Sequence, residues 1–134
     1  MLIPALAAAT AAAQEKPQKP VLPAKAYKYE DLPVKPNGQN EGRAVFDGLT
    51  HTKYPVELHM TKLGPGQSPH APHQHINEEV LTLRTGQLDV TMDGVTTRVS
   101  AGSIVYADSN VLHGWKNPGP EPAEYFVLAL GPKS

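Results

Sequence analysis

The chain contains no cysteine. It can form no disulfide and no thiolate metal site, so any metal must be held by histidine and carboxylate. It also lacks a long run of one charge sign. Lys and Arg number 12 against 13 Asp and Glu, the net charge is -1 and the pI is near 6.6. A nucleic-acid-binding domain usually carries a basic patch and a pI above about 9, which argues against that class of partner. No apolar run reaches the roughly 20 residues of a membrane-spanning helix. Met1 to Ala13 is apolar but too short, and no membrane partner is expected. After residue 42 there is no amphipathic helical stretch of ten residues and no solenoid-type repeat, which argues against a helical bundle.

Proline and glycine, by contrast, are abundant, at 14 and 11 among 134 residues. They suit many short strands joined by turns. The length fits one domain with two preceding segments. Residues 1–13 end in Ala11-Ala12-Ala13, like the apolar region and cleavage site of a secretory signal without its basic start; the alternative is an alanine-rich helical tail. A signal remnant implies a periplasmic or secreted protein, and otherwise a cytoplasmic one. Residues 14–41 read as a Pro-rich linker or arm, disordered or extended, whose Tyr27, Tyr29, Leu32 and Val34 can lie along the domain surface.

The folded domain is expected over residues 42–131. Strands are predicted over 43–46, 54–62, 79–84, 87–92, 96–100, 103–107, 112–116 and 123–130. In the second, Val56, Leu58 and Met60 alternate with Glu57, His59 and Thr61, as in a half-buried strand. Asp93-Gly94 is the strongest short hairpin signal. The fold class is therefore all-β, a sandwich or small barrel.

Three of the six histidines fall between His70 and His75. On an extended chain His73 and His75 project to one side, and Glu79 shares their parity. Two imidazoles and a carboxylate suit one divalent transition metal, Fe, Mn, Ni, Zn or Cu, with open coordination positions. Those three alone are a weak signal, because His-x-His is common. A fourth candidate, His113, lies in the stretch Gly102 to Asn117.

The two stretches together resemble the motifs of the cupin family. The first motif is matched by His73, His75, Glu79 and Gly86, the second by Gly102, His113 and Asn117. Gly66 stands one residue ahead of the first motif's leading glycine, Asp108 replaces the second motif's proline, and Asn110 replaces its glycine. Asn tolerates positive φ, so that turn can survive. The resemblance implies a double-stranded β-helix, a jelly-roll barrel whose closure brings His113 beside His73 and His75, with the metal held by His73, His75, Glu79 and His113. It also implies a small-molecule substrate or ligand, and a homodimer by family habit. The expected activity is that of a metal-dependent enzyme, dioxygenase-like or isomerase/lyase-like. The alternative is a metal- or ligand-binding module without turnover.

Further residues are candidates for the pocket. Leu81 and Leu83 share Glu79's parity and should form an apolar wall. Trp115 shares His113's parity and either walls the pocket or packs in the core. Tyr106 and Tyr125 are candidate pocket hydroxyls. His70 either faces the pocket mouth or is a loop histidine, and His59 either lines the cavity or sits on the outer face. His51 is expected to be exposed. No residue outside the ligand set stands out as a general base.

Overall fold

A computed structural model describes residues 1–5 and 18–133. Nine strands alternate with turns: β1 (Val34–Asn37), β2 (Asn40–Leu49), β3 (Pro55–Leu63), β4 (Glu78–Thr85), β5 (Gln87–Met92), β6 (Val95–Ser100), β7 (Ile104–Ala107), β8 (His113–Lys116) and β9 (Ala123–Leu130). They form a six-stranded sheet in the order β1-β2-β3-β9-β4-β7 and a three-stranded sheet in the order β6-β5-β8, with every strand pair antiparallel. This is the expected all-β jelly roll. The proposed signal remnant lies largely outside the described residues, as does the start of the linker.

Turn chemistry sets the strand boundaries. Asp93 and Gly94 both take positive φ, 46° and 81°, the pair of angles that a tight hairpin between right-twisted strands requires. β5 and β6 pair across it from Met92–Val95 to Gln87–Ser100. Gly86, which separates β4 from β5, has φ 78°, and a Cβ there would stand 2.5 Å from the Pro122 carbonyl oxygen. Glycine meets both demands.

The sheet starts earlier than the linker reading allows. β1 and the start of β2 fall within residues 14–41, joined by a two-residue turn at Gly38-Gln39, with Gly38 at φ 60°. Pro36 is tolerated because β1 is an edge strand. Ahead of it, Lys19 pairs with Asp47 at 2.6 Å, Val21 bridges Leu49, and the Tyr27 ring lies against Phe46. From residue 18 onward the arm runs along the sheet, with one 3-10 turn at Tyr29–Asp31.

The core lies between the sheets. Leu81 and Leu83 of β4, Leu88 and Val90 of β5, Val105 of β7, Trp115 of β8, and Ala123, Tyr125 and Val127 of β9 are all buried there. β3 departs from the simplest reading of its alternation. Its polar residues Glu57, His59 and Thr61 oppose Ala129, Val127 and Tyr125 of β9 and so share the inward face. Val56, Leu58 and Met60 oppose Leu130, Leu128 and Phe126 and look outward. The tyrosines of the arm lie over that outer apolar face: Tyr27, Tyr29 and Leu32 line a hollow with Phe46, Leu58, Met60 and Phe126.

Candidate metal centre

The loop between β3 and β4 brings the histidines to the barrel. His73 and His113 exchange both backbone hydrogen bonds, at 3.0 and 2.9 Å, and the Asn110 amide donates to the His75 carbonyl at 2.7 Å. This short antiparallel bridge clips the loop to the start of β8. Asn110 has φ 62°, so the position where a glycine was expected keeps the left-handed turn. Asn117 is fully buried and holds the far end. Its amide nitrogen donates to the Leu63 and Glu121 carbonyls at 3.1 and 2.8 Å, and its side-chain oxygen accepts from the Gly119 amide at 2.8 Å. It positions backbone and does not touch the site.

The result is a compact cluster of His73, His75, Glu79 and His113, with one donor atom from each lying within 4.8 Å of every other. The three imidazoles meet edge-on at centroid separations of 4.8, 4.9 and 4.9 Å. Glu79 reaches His75 Nε2 at 2.9 Å through one oxygen and His113 Nε2 at 3.7 Å through the other. Metal–nitrogen and metal–oxygen bonds of about 2.0–2.2 Å keep two donors within about 4.4 Å, so the cluster approximates a ligand shell.

The hydrogen bonds of the rings make the chemical case. Nδ1 of His75 faces the Asn77 carbonyl at 2.8 Å, and Nδ1 of His113 faces the Val111 carbonyl at 3.0 Å. A carbonyl only accepts, so each Nδ1 must donate, leaving the lone pair of the neutral ring on Nε2. Backbone acceptors orient metal-binding histidines in this way. Nε2 of His73, His75 and His113 are all buried and make no hydrogen bond. The short His75–Glu79 approach lacks hydrogen-bond direction. Three buried nitrogens without partners, two of them held as lone pairs, are costly unless something electron-poor sits between them. Burial, followed by the neighbouring His70, His113 and His75 rings, pushes the His73 pKa down to about 4. That ring stays neutral, as a ligand must.

Leu81 and Leu83 are buried below Glu79. Trp115 is buried and stacks on His113 with centroids 5.6 Å apart, and its indole N–H donates to the Tyr125 hydroxyl at 2.8 Å. Desolvation pushes Tyr125 up to about 12, against hydrogen bonds from Trp115 and Thr61. His70 is exposed at the mouth, its ring 3.9 Å from that of His73. His59 takes the inward alternative. Tyr106 does not reach the pocket: it is 55% exposed because β7 turns Val105 and Ala107 inward and Ile104 and Tyr106 outward. His51 is exposed in a turn. Glu57, not weighed in the sequence reading, pairs with His59 on the inward face. The signal that could have found it is its i, i+2 spacing from His59, the same spacing that drew attention to His73 and His75.

Residues 59–129 match the family model described as a cupin domain. No curated protein matches the chain. Among solved structures, an RmlC-like cupin from Shewanella frigidimarina superposes with a TM-score of 0.67 at 17% identity, covering 81% of this chain and 91% of that one. A predicted oxalate decarboxylase from Thermotoga maritima gives 0.67 at 19% identity, over 81% of this chain and 100% of the other. The polyketide cyclase RemF from Streptomyces resistomycificus gives 0.64 at 16% identity, over 80% and 79%. At these identities the likeness is one of fold. Among the described residues, no helix is long and apolar enough to cross a membrane.

Proposed function

The chain belongs to the cupin superfamily, and from that premise we propose that it is a metal-dependent enzyme acting on a small molecule inside its barrel, of the dioxygenase-like or isomerase/lyase-like kind. The observation that carries this reading is the set of three buried, unpartnered Nε2 atoms converging with the Glu79 carboxylate. His73, His75, Glu79 and His113 would hold one divalent ion of Fe, Mn, Ni, Zn or Cu. Such an ion, when bound, supplies Lewis acidity and an open position for substrate, water or dioxygen. The chain's own residues supply the rest. Asn77 and Val111 fix the tautomers, Trp115 holds the His113 ring, and Leu81 and Leu83 keep the floor of the site dry.

Elemental analysis of protein purified without a polyhistidine tag tests the centre. One ion per chain is expected. His113→Ala should remove most of it and His51→Ala none; equal losses, or an empty wild type after reconstitution, would sink the assignment. Turnover is then sought by oxygen uptake and product analysis over a panel of small carboxylates, phenols and sugar acids. A loaded protein inert towards the whole panel would favour a binding module instead.

A further inference from the structure

β3 places polar side chains at every second position on the face turned into the barrel. Glu57 and His59 oppose Ala129 and Val127 of β9, and these in turn oppose Glu79 and Leu81 of β4. Glu57 therefore stands in the row of the ligand Glu79, two strands away, or about 10 Å at the backbone. His59 stands one residue pair further along. Both share a face with Glu79. The barrel is open next to them: Ala44, which opposes His59 from β2, is exposed. A cavity of about 240 Å³ reaches Glu57 from the side of Asp47, Leu49, Val56, Ala129 and Lys133; neither His59 nor any residue of the histidine cluster lines it.

Nδ1 of His59 lies 2.9 and 3.1 Å from the two carboxylate oxygens of Glu57. A carboxylate only accepts, so Nδ1 donates, and the lone pair of the neutral ring sits on Nε2. Among the described residues Nε2 of His59 has no protein partner. An imidazole whose tautomer is fixed by a carboxylate and whose other nitrogen is free is an oriented proton acceptor. The inner face of β3, with Glu57, His59 and Thr61 in a row, suits a polar guest.

We propose that Glu57 and His59 are the proton-transfer pair of this barrel, serving a small molecule that enters beside Glu79 and offers an acidic C–H or O–H. The proposal rests on the reading of the histidine cluster as a metal centre. In the step, an N–H bond forms at His59 Nε2 while the substrate's bond to that hydrogen breaks. The electron pair of the broken bond stays on the substrate. The imidazolium is held by Glu57, and Nε2 later returns the proton to product or water. His59 is the catalytic residue and Glu57 a positioning residue.

The charges around the pair agree. The Glu57 hydrogen bond raises His59 above the ordinary histidine range, opposed by burial, and the charges of Glu57 and Glu79 raise it further while Lys133 lowers it. Asp47 of β2 and Tyr125 of β9 share the same inner face. The free base forms as pH rises through the elevated value, so turnover should rise over the same interval.

Imidazole resonances of the full chain test this without a substrate. Mn²⁺ should broaden the ring signals of His59. In the Zn²⁺-loaded chain, His59 should titrate above about 6.5, and Glu57→Gln should lower that value by about one pH unit, since a paired carboxylate typically shifts its partner by this much or more. His59→Gln should leave zinc stoichiometry unchanged. A His59 that titrates in the ordinary range and ignores Glu57→Gln overturns the proposal, as does one left sharp while the protein retains Mn²⁺. Failure to retain either ion defeats the metal centre instead, and the Glu57→Gln titration of the metal-free chain then decides the pair alone. On any compound the wild type turns over, His59→Gln should cut kcat by about 10²–10⁴-fold with KM little changed; an unchanged kcat overturns the assignment.

Discussion

At the scale of residues, the candidate centre is an arrangement of protons. A ligand imidazole must offer a lone pair, and at His75 and His113 a backbone carbonyl holds the proton on Nδ1 while Nε2 is buried. His73 shows the cost. Its pKa falls to about 4 in the folded protein, chiefly through burial, against about 6.5 in an unfolded chain. Between those values the unfolded state binds the extra proton, so folding stability falls as pH is lowered from 6.5 to 4 and is insensitive to this group above 6.5. For the metal-free protein, the urea midpoint should therefore drop steadily between pH 6.5 and 4.5; a flat midpoint would contradict the shift. The residues of the candidate centre were legible in the sequence because histidine is rare and its spacing informative. Glu57 was not, because a glutamate on an alternating strand reads as solvated until the register shows which way it faces.

At the scale of elements, legibility followed turn chemistry. β4 to β6 and the inward parity of Glu79, Leu81 and Leu83 were readable from alternation bounded by Gly86 and Asp93-Gly94. β3 was readable as a strand but not as to face. Leu58 and Met60 meet the arm outside, and Glu57, His59 and Thr61 face inward, so the usual equation of apolar with inward fails. β1 was hidden by Pro33 and Pro36, which suggested a linker, although Asn37-Gly38 sat in plain view. The glycines allow a graded test. Gly86→Ala meets both positive φ and the Pro122 carbonyl, and should cost about 2–4 kcal/mol. Gly102→Ala has positive φ but open space around it, and should cost about 1–2 kcal/mol. Chemical denaturation of both variants checks the order; a reversal would mean that the turn after β4 can rearrange.

At the scale of the whole molecule, the donors come from separate parts of the barrel. Glu79 belongs to the six-stranded sheet, His113 to the three-stranded one, and His73 and His75 to the loop that precedes β4. The site exists only when the barrel is closed, so ligand binding and folding are linked. An ion present at 100 times its Kd should stabilise the fold by about 2.7 kcal/mol. A chelator should lower the melting temperature of the wild type and leave that of His113→Ala unchanged. A chelator effect of equal size on both would place the stabilising ion elsewhere.

The donor arrangement also has a mechanical consequence. Glu79 and His113 are anchored in opposite walls, so an ion shared between them works as a rivet through the barrel. Tension that peels one wall from the other would load that rivet directly, while tension along a single sheet would bypass it. The same protein should therefore be tough in one pulling direction and ordinary in another, and only the first should depend on whether the rivet is in place.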